Sequence, residues 1–312
     1  MVSVKQQKRQ ASSQRDACGM EITMELAVLA DIHSNHVALE KCMEYALERG
    51  ISDFLFLGDY LGEFAYPERT MDLLYQYDRE YHCTFICGNK EEYWLKYRKR
   101  EKDYWQEISS TTGMLYYSYS HVRERDFNFF EKLRLAQKLQ YASLPTLIAC
   151  HGSPFSTRSG MRPGNEESKR ILEQIEVDYL LYGHSHVQGI TEHQGKIALN
   201  PGSVGVGLEA SGMAQFAILR GEEGGWREEF ISLDYDRQQA LEEMREAGFY
   251  ERAPYWSLLT EKLILNQLPE GICHANILEE VMRLCQEETG VCNWPDIPER
   301  FWEKALENFG IR

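Results

Sequence analysis

The chain has no pair of cysteines at C-x-x-C spacing, although it has eight, at positions 18, 42, 83, 87, 150, 273, 285 and 292. Zinc ribbons and dithiol redox motifs need that spacing, so neither is expected, and the cysteines read as ordinary reduced thiols. Nowhere do 18 apolar residues run together, so no membrane-spanning helix is expected. The opening stretch MVSVKQQKRQASSQRDACG is cationic but has no apolar core of the signal-peptide kind. A cytoplasmic protein is the expectation. Basic side chains are also scarce. The 34 Lys and Arg against 49 Asp and Glu leave a formal net charge of −15, so long nucleic acids and anionic membranes would meet net repulsion. Neither an internal repeat nor a low-complexity linker is present.

Core-forming residues are abundant instead. Hydrophobic residues make up 43% of the 312, with 18 Tyr and 6 Trp, which is too rich for a disordered chain and enough for one large or two modest domains. Residues 1–23 are polar and are expected to be a mobile tail, with Met24 as a candidate start. From there the texture changes. The apolar run LAVLA (26–30) reads as a strand, and VALEKCMEYALERG after it has apolar residues at helical intervals: Val37, Leu39, Met43, Ala46 and Leu47 face inward and Gly50 ends the helix. DFLFLGD, PERTMDLLYQY with Pro67 in its first turn, and TFICGN continue a β-α-β-α-β rhythm, so an α/β domain is expected over residues 24–235.

The stretch from about 91 to 142 is aromatic, charged and helix-like, and is expected to be a helical insertion. Alternation resumes with TLIACHG, a helix near 165–175, DYLLYGHSH, and a hairpin turning at Gln194-Gly195. AQFAILR and WREEFISL read as a closing antiparallel pair. Residues 236–312 are expected to be a C-terminal helical extension, strongly acidic. It would pack on the main domain, over a site, or on a second copy in a homo-oligomer.

Seven polar residues fall at the ends of these strands. Asp31 and His33 follow the first, Asp59 the second, Asn89 the third, His151 follows TLIAC, and His184 and His186 follow DYLLY. Ligands of open α/β sheets gather at the carboxyl ends of strands, so one site could hold all seven. Taken singly, Asp31 reads as a helix cap, His151 as a core histidine and Gly-His-Ser-His as a polar loop. Together, two carboxylates, four imidazoles and one carboxamide suit two divalent first-row ions with water in the open positions. Glycines beside them, at 58, 88, 152 and 183, suit sharp turns and a close approach of backbone to an ion or phosphate.

The series Asp31-Ile-His33, Gly58-Asp59, Gly88-Asn89-Lys90-Glu91, His151-Gly152 and Gly183-His184-Ser185-His186, followed by Asn200-Pro-Gly-Ser-Val-Gly, resembles the calcineurin-like metallophosphoesterase superfamily. It is most similar to the compact bacterial branch with phosphodiesterases and diadenosine-polyphosphate hydrolases, over residues 25–235. The resemblance implies a four-layer α/β/β/α sandwich and two divalent ions, of Mn²⁺, Fe²⁺ or Fe³⁺, Zn²⁺ or Ni²⁺. One ion would be held by Asp31, His33, Asp59 and His186, the other by Asp59, Asn89, His151 and His184, with Asp59 bridging. Attack by a metal-bridging hydroxide, in line with the leaving oxygen, would hydrolyse a small phosphodiester or nucleotide (poly)phosphate. Asp59, Asn89, His151 and Lys90 would take part in catalysis. His33 and His186 would each need a partner on the other ring nitrogen.

Many family members carry His where this chain has Lys90. Lys90 would bind the phosphate or, with a lowered pKa, give a proton to the leaving group; the alternative is a solvated lysine at a helix start. Glu91 matches an acidic family position. His36 either touches substrate or simply begins the helix. Arg158 and Arg162, in the loop after His151, could grip a second phosphate or lie in solvent. The run LKYRKREK (95–102) is locally basic and could steer an anion. Two other functions fit the same residues: a phosphomonoesterase or protein phosphatase, and a non-catalytic metal-binding scaffold.

Overall fold

The computed structural model describes residues 14–15, 21–22, 24–99, 105–141, 143–292 and 294–311. Most of the expected N-terminal tail, residues 1–13, 16–20 and 23, lies outside the described residues. Within it, Gln14–Arg15 (β1) and Glu21–Ile22 (β2) pair antiparallel.

The first sheet begins with Met24–Leu29 (β3), followed by helix His36–Glu48 (α1). Asn35 caps α1 by accepting from the Ala38 N–H (3.0 Å), and Gly50 turns the chain in the left-handed region. Next come Asp53–Phe56 (β4), Pro67–Glu80 (α2) and His82–Phe85 (β5). The insertion holds Asn89–Arg98 (α3), Gly113–His121 (α4) and Glu124–Phe130 (α5). It ends in a strand, Ala136–Leu139 (β6), which corrects the reading of this stretch as all helical. Apolar residues at 129, 130, 133, 135 and 139 fit a helical period, but β6 gains backbone partners along Leu147–Cys150 (β7).

After β7 come Glu166–Gln174 (α6), Tyr179–Leu181 (β8), Gly189–His193 (β9) and Lys196–Asn200 (β10). Ala214–Glu222 (β11) and Gly225–Leu233 (β12) close the sheets. The extension then runs through Arg237–Glu246 (α7), Phe249–Arg252 (α8), Pro254–Ile264 (α9), His274–Thr289 (α10) and Glu299–Asn308 (α11).

Two five-stranded sheets result, ordered β12-β11-β3-β4-β5 and β6-β7-β8-β10-β9. Strands β3, β4 and β5 are parallel, as are β7, β8 and β10. Alternation along β3 sorts the layers. Leu26 and Val28 meet Leu147, Ala149 and Leu181 of the other sheet, whereas Ala27 and Leu29 meet the helices outside. The far face of the second sheet, with Ile148, Cys150 and Leu180, takes Ile171 and Leu172 of α6. This is the expected four-layer α/β/β/α sandwich.

The extension has its own core around Ile277, Val281, Phe301 and Trp302. It is tied to the insertion by Glu299, whose carboxylate accepts from the Ser110 N–H and hydroxyl (both 2.7 Å), and by Trp302, which donates to Thr111 Oγ1 (3.1 Å). These contacts dock the extension on the insertion of the main domain.

Candidate metal centre

The loops after β3, β4, β5, β7 and β8 converge because backbone hydrogen bonds tie them to one another. The Asp31 N–H donates to the Gly58 carbonyl (3.1 Å), the His33 N–H to that of Asp59 (3.0 Å) and the Gly183 N–H to that of His151 (2.7 Å). The Asn200-Pro-Gly-Ser-Val-Gly segment ties in the rest. Asn200 donates to the Gly183 carbonyl (2.7 Å), and the Ser203 hydroxyl donates to the Asp31 carbonyl (2.8 Å). Close contact demands glycine at 88, where a Cβ would fall on the Asp59 backbone nitrogen and carboxylate.

Asp31, His33, Asp59, His184 and His186 all have φ between 53° and 64°. Few residues other than glycine adopt this left-handed conformation, and each costs about 1–3 kcal/mol. Five such residues among seven strand-end polar groups mark the place where the fold accepts strain.

Each of three imidazoles is oriented through its Nδ1. His151 Nδ1 lies 2.8 Å from the Leu57 carbonyl and His186 Nδ1 2.8 Å from that of Val206; both must donate, because a carbonyl only accepts. His33 Nδ1 meets the Glu63 carboxylate, which likewise only accepts. In the neutral rings, each Nε2 therefore carries a lone pair, and these point inward. His33 and His186 bring theirs within 3.2 Å of each other. Asp31 Oδ1 lies 3.3 Å from His186 Nε2 and 3.9 Å from the Nε2 atoms of His33 and His151. Asp59 faces both sides, with Oδ2 3.8 Å from His33 Nε2 and Oδ1 3.5 Å from His151 Nε2. Asn89 Oδ1 is 3.0 Å from His151 Nε2.

Six of the seven sequence-predicted groups thus converge through their side chains. His184 joins differently: its backbone N–H donates to Asp31 Oδ2 (3.0 Å), and its ring stands edge-on to His151 with centroids 5.1 Å apart. Burial, then the neighbouring His151, pushes His184 down to about 4, so its ring stays neutral and able to coordinate.

The donor set fits a metal. Asp31 Oδ1 is buried and accepts no well-formed hydrogen bond. Burial raises the Asp31 carboxyl, but the imidazoles of His186, His151 and His33 prevail and hold it well below the usual range. Burial lowers His186, yet the facing Asp31 carries it to about 9. The centre demands positive charge, and a proton on His186 or a metal ion meets that demand. The sets Asp31, His33, His186 and Asp31, Asp59, His151 each bring their ligand atoms within 4.8 Å of one another.

The model of the calcineurin-like phosphoesterase superfamily domain matches residues 24–224, the span that carries every one of these groups. The chain belongs to that superfamily. As a calcineurin-like phosphoesterase it is a metal-dependent phosphoester hydrolase. The uncharacterized protein MJ0912 of Methanocaldococcus jannaschii is 25% identical over 267 residues, covering 78% of this chain and 98% of that protein. Two crystal structures share the fold. A metallophosphoesterase from Sphaerobacter thermophilus has 20% identity and a TM-score of 0.56, over 72% of this chain and 94% of its own. The hypothetical protein PH1004 from Pyrococcus horikoshii has 18% identity and a TM-score of 0.62, over 75% and 97%.

Around the centre of this calcineurin-like phosphoesterase lie three carboxylate and lysine groups of distinct use. Glu91 accepts from the backbone N–H groups of Gly88 (2.8 Å), Asp59 (3.0 Å) and Tyr60 (3.0 Å), joining two loops. Burial, then the Asp59 charge, pushes it up to about 7. Glu63, which sequence reasoning missed, orients His33 with one oxygen and pairs with Lys90 Nζ (2.9 Å) through the other. Burial raises Glu63, but His33 and Lys90 outweigh it and keep it well below the usual range. Burial would lower Lys90, but Glu63 and Asp59 prevail and raise it. The lowered pKa expected of a proton donor is not what Glu63 and Asp59 produce.

The remaining candidates sit apart from these groups. His36 is the first residue of α1, with Nε2 3.3 Å from Glu243 of α7. Arg158 is exposed, 3.3 Å from Glu92 and 4.8 Å from the centre of the Tyr93 ring. Arg162 has an exposed side chain. In the basic run, Lys96 pairs with Glu92 and Arg98 with Glu124, while residues 100–102 lie outside the described residues.

Proposed function

We propose that the chain hydrolyses a small phosphodiester or nucleotide (poly)phosphate at a two-metal centre. The observation that carries this reading is Asp59, which turns one carboxylate oxygen toward His33 and the other toward His151. A bridging ligand needs that disposition. One ion would be held by Asp31, His33, Asp59 and His186, and the other by Asp59, Asn89, His151 and His184. Two divalent cations, when bound, supply an acidified water for attack in line with the leaving oxygen and neutralise phosphate charge.

The protein's part is orientation. The Leu57 and Val206 carbonyls and the Glu63 carboxylate fix three imidazole tautomers, and the Lys90 N–H holds Asp59 Oδ1 at 2.8 Å. Asn89 presents an amide to the same space. The Lys90 ammonium has three donors and uses one on Glu63, leaving others for a phosphate oxygen. The charge of −15 favours a small phosphoester over a long polyanion. A place in the phosphodiesterase and diadenosine-polyphosphate hydrolase branch belongs to this reading. So does a cytoplasmic setting, which the buried free thiols of Cys42, Cys87, Cys150 and Cys285 fit.

Bis-p-nitrophenyl phosphate and p-nitrophenyl phosphate, assayed with added Mn²⁺ beside a measurement of bound metal, test it. Faster turnover of the diester is expected, and Asp59→Asn should abolish it. A folded protein that binds metal but turns over neither ester would support the scaffold instead.

A further inference from the structure

A cavity of about 140 Å³ lies among α3, α4, α9 and α10, and its wall toward the metal centre is Gly62, Glu63 and Lys90. The same residues touch the centre: a Cβ on Gly62 would come within 2.5 Å of His33 Nδ1, Glu63 pairs with the same ring, and the Lys90 N–H donates to Asp59 Oδ1. The cavity and the proposed metal centre therefore share Glu63 and Lys90 as a common border.

Its other walls are largely apolar. Tyr93 of α3, Trp256 of α9 and Trp294, beyond α10, present aromatic rings; Met114, Leu115 and Leu278 complete the lining. Ser110 and Thr111 also border it, but their hydroxyls are already engaged, the first with Glu299 and the second with Trp302. The charges left at the cavity are those of Lys90 and Glu63. The volume is below the range of about 300–1,000 Å³ of pockets that enclose a drug-sized molecule, and suits a single ring system. Trp256, Leu278 and Trp294 lie beyond residue 224, where the superfamily match ends, so part of this cavity's wall comes from outside that match.

We propose that this cavity receives a flat ring carried by the phosphoester, a nucleobase or an aryl group, with Lys90 at its edge holding the adjoining phosphate. The inference rests on the phosphoesterase reading above, because the ring must be joined to a phosphate at the metal centre. Stacking on aromatic side chains supplies the affinity and tolerates different rings, since every ring has a face to offer.

Calorimetric titration of the Mn²⁺-loaded full chain with methylphosphonate, phenylphosphonate and a phosphonate analogue of AMP tests it, since none of the three can be hydrolysed at its P–C bond. Ring-bearing ligands should bind about tenfold tighter or more than methylphosphonate and quench tryptophan fluorescence. Stronger binding of the AMP analogue assigns the pocket to a nucleobase; stronger binding of phenylphosphonate assigns it to an aryl ester. Trp294→Ala, at a partly exposed position, should bring ring-bearing ligands down to the level of methylphosphonate. Leu278→Trp, which fills the cavity, should do the same. Equal affinities for all three ligands, or a ring preference that survives both variants, would overturn the proposal. Nitrophenol release by the same preparation reports on the phosphoesterase reading separately.

Discussion

Lys90 Nζ lies 2.9 Å from Glu63 Oε1, and both side chains are nearly withdrawn from solvent. Glu63 thereby ties a cation to the orientation of His33. A lysine paired in this way keeps two ammonium donors for a phosphate oxygen.

Lys90→Gln should consequently lower kcat/KM by about 10–100-fold, the worth of a charge-assisted hydrogen bond. The loss should be equal for esters with good and poor leaving groups. A much larger loss for an alkyl leaving group than for p-nitrophenolate would reinstate Lys90 as an acid.

Glu63→Gln should weaken metal binding by about 10–100-fold, since partners that orient metal-bound imidazoles have effects of this size. Competition with a chromophoric chelator measures it. The variant also leaves Lys90, largely withdrawn from solvent, without its counter-charge, so the folded state should be less stable as well. Unchanged metal affinity would mean that His33 holds its orientation without Glu63.

Metal removal should lower the unfolding temperature. Added Mn²⁺ at about 1,000 times its dissociation constant stabilises a folded-state site by about 4 kcal/mol, or several degrees in a chain of this size. Differential scanning calorimetry with and without chelator reads the shift. In Asp59→Asn the shift should shrink sharply; a full shift there would place the metal elsewhere.

His274 gives the extension an acid-sensitive point. It is buried, with Nε2 3.0 Å from Thr260 Oγ1 and its ring against Trp256, and burial pushes its pKa down to about 4 from an ordinary 6.5. Between those values the unfolded chain binds the proton and the folded chain does not. The contribution of His274 is therefore complete above pH 6.5 and is lost as pH falls toward 4, up to about 3 kcal/mol. Denaturant unfolding at pH 7.5 and pH 5 should show a smaller drop for His274→Gln than for the parent chain. Identical drops would remove His274 from the account.

The strand-end residues were legible because an apolar run followed by Asp, Asn or His announces both a strand and the polar group that leaves it. Asp31, His33, Asp59, Asn89 and His151 needed only that pattern, and their order carried the family resemblance. Glu63 was not legible. It acts because the loop after Asp59 folds back, with the Phe64 N–H donating to the His33 carbonyl (3.0 Å), and no periodicity encodes that return. Likewise, the Glu243 that meets His36 lies over 200 residues along the chain, on a helix whose docking side the sequence left open. Strand β6 was hidden by apolar spacing that serves a helix equally well; only pairing with β7 decides between them.

The left-handed backbone at Asp31, His33, Asp59, His184 and His186 also bears on how such a chain can change over generations. Glycine suits those positions better than the residues present. A descendant released from catalysis can replace the ligands and relax the loops while its two sheets persist. The fold thus outlives its chemistry easily, whereas the chemistry endures only where selection for turnover opposes the pull toward a more comfortable backbone.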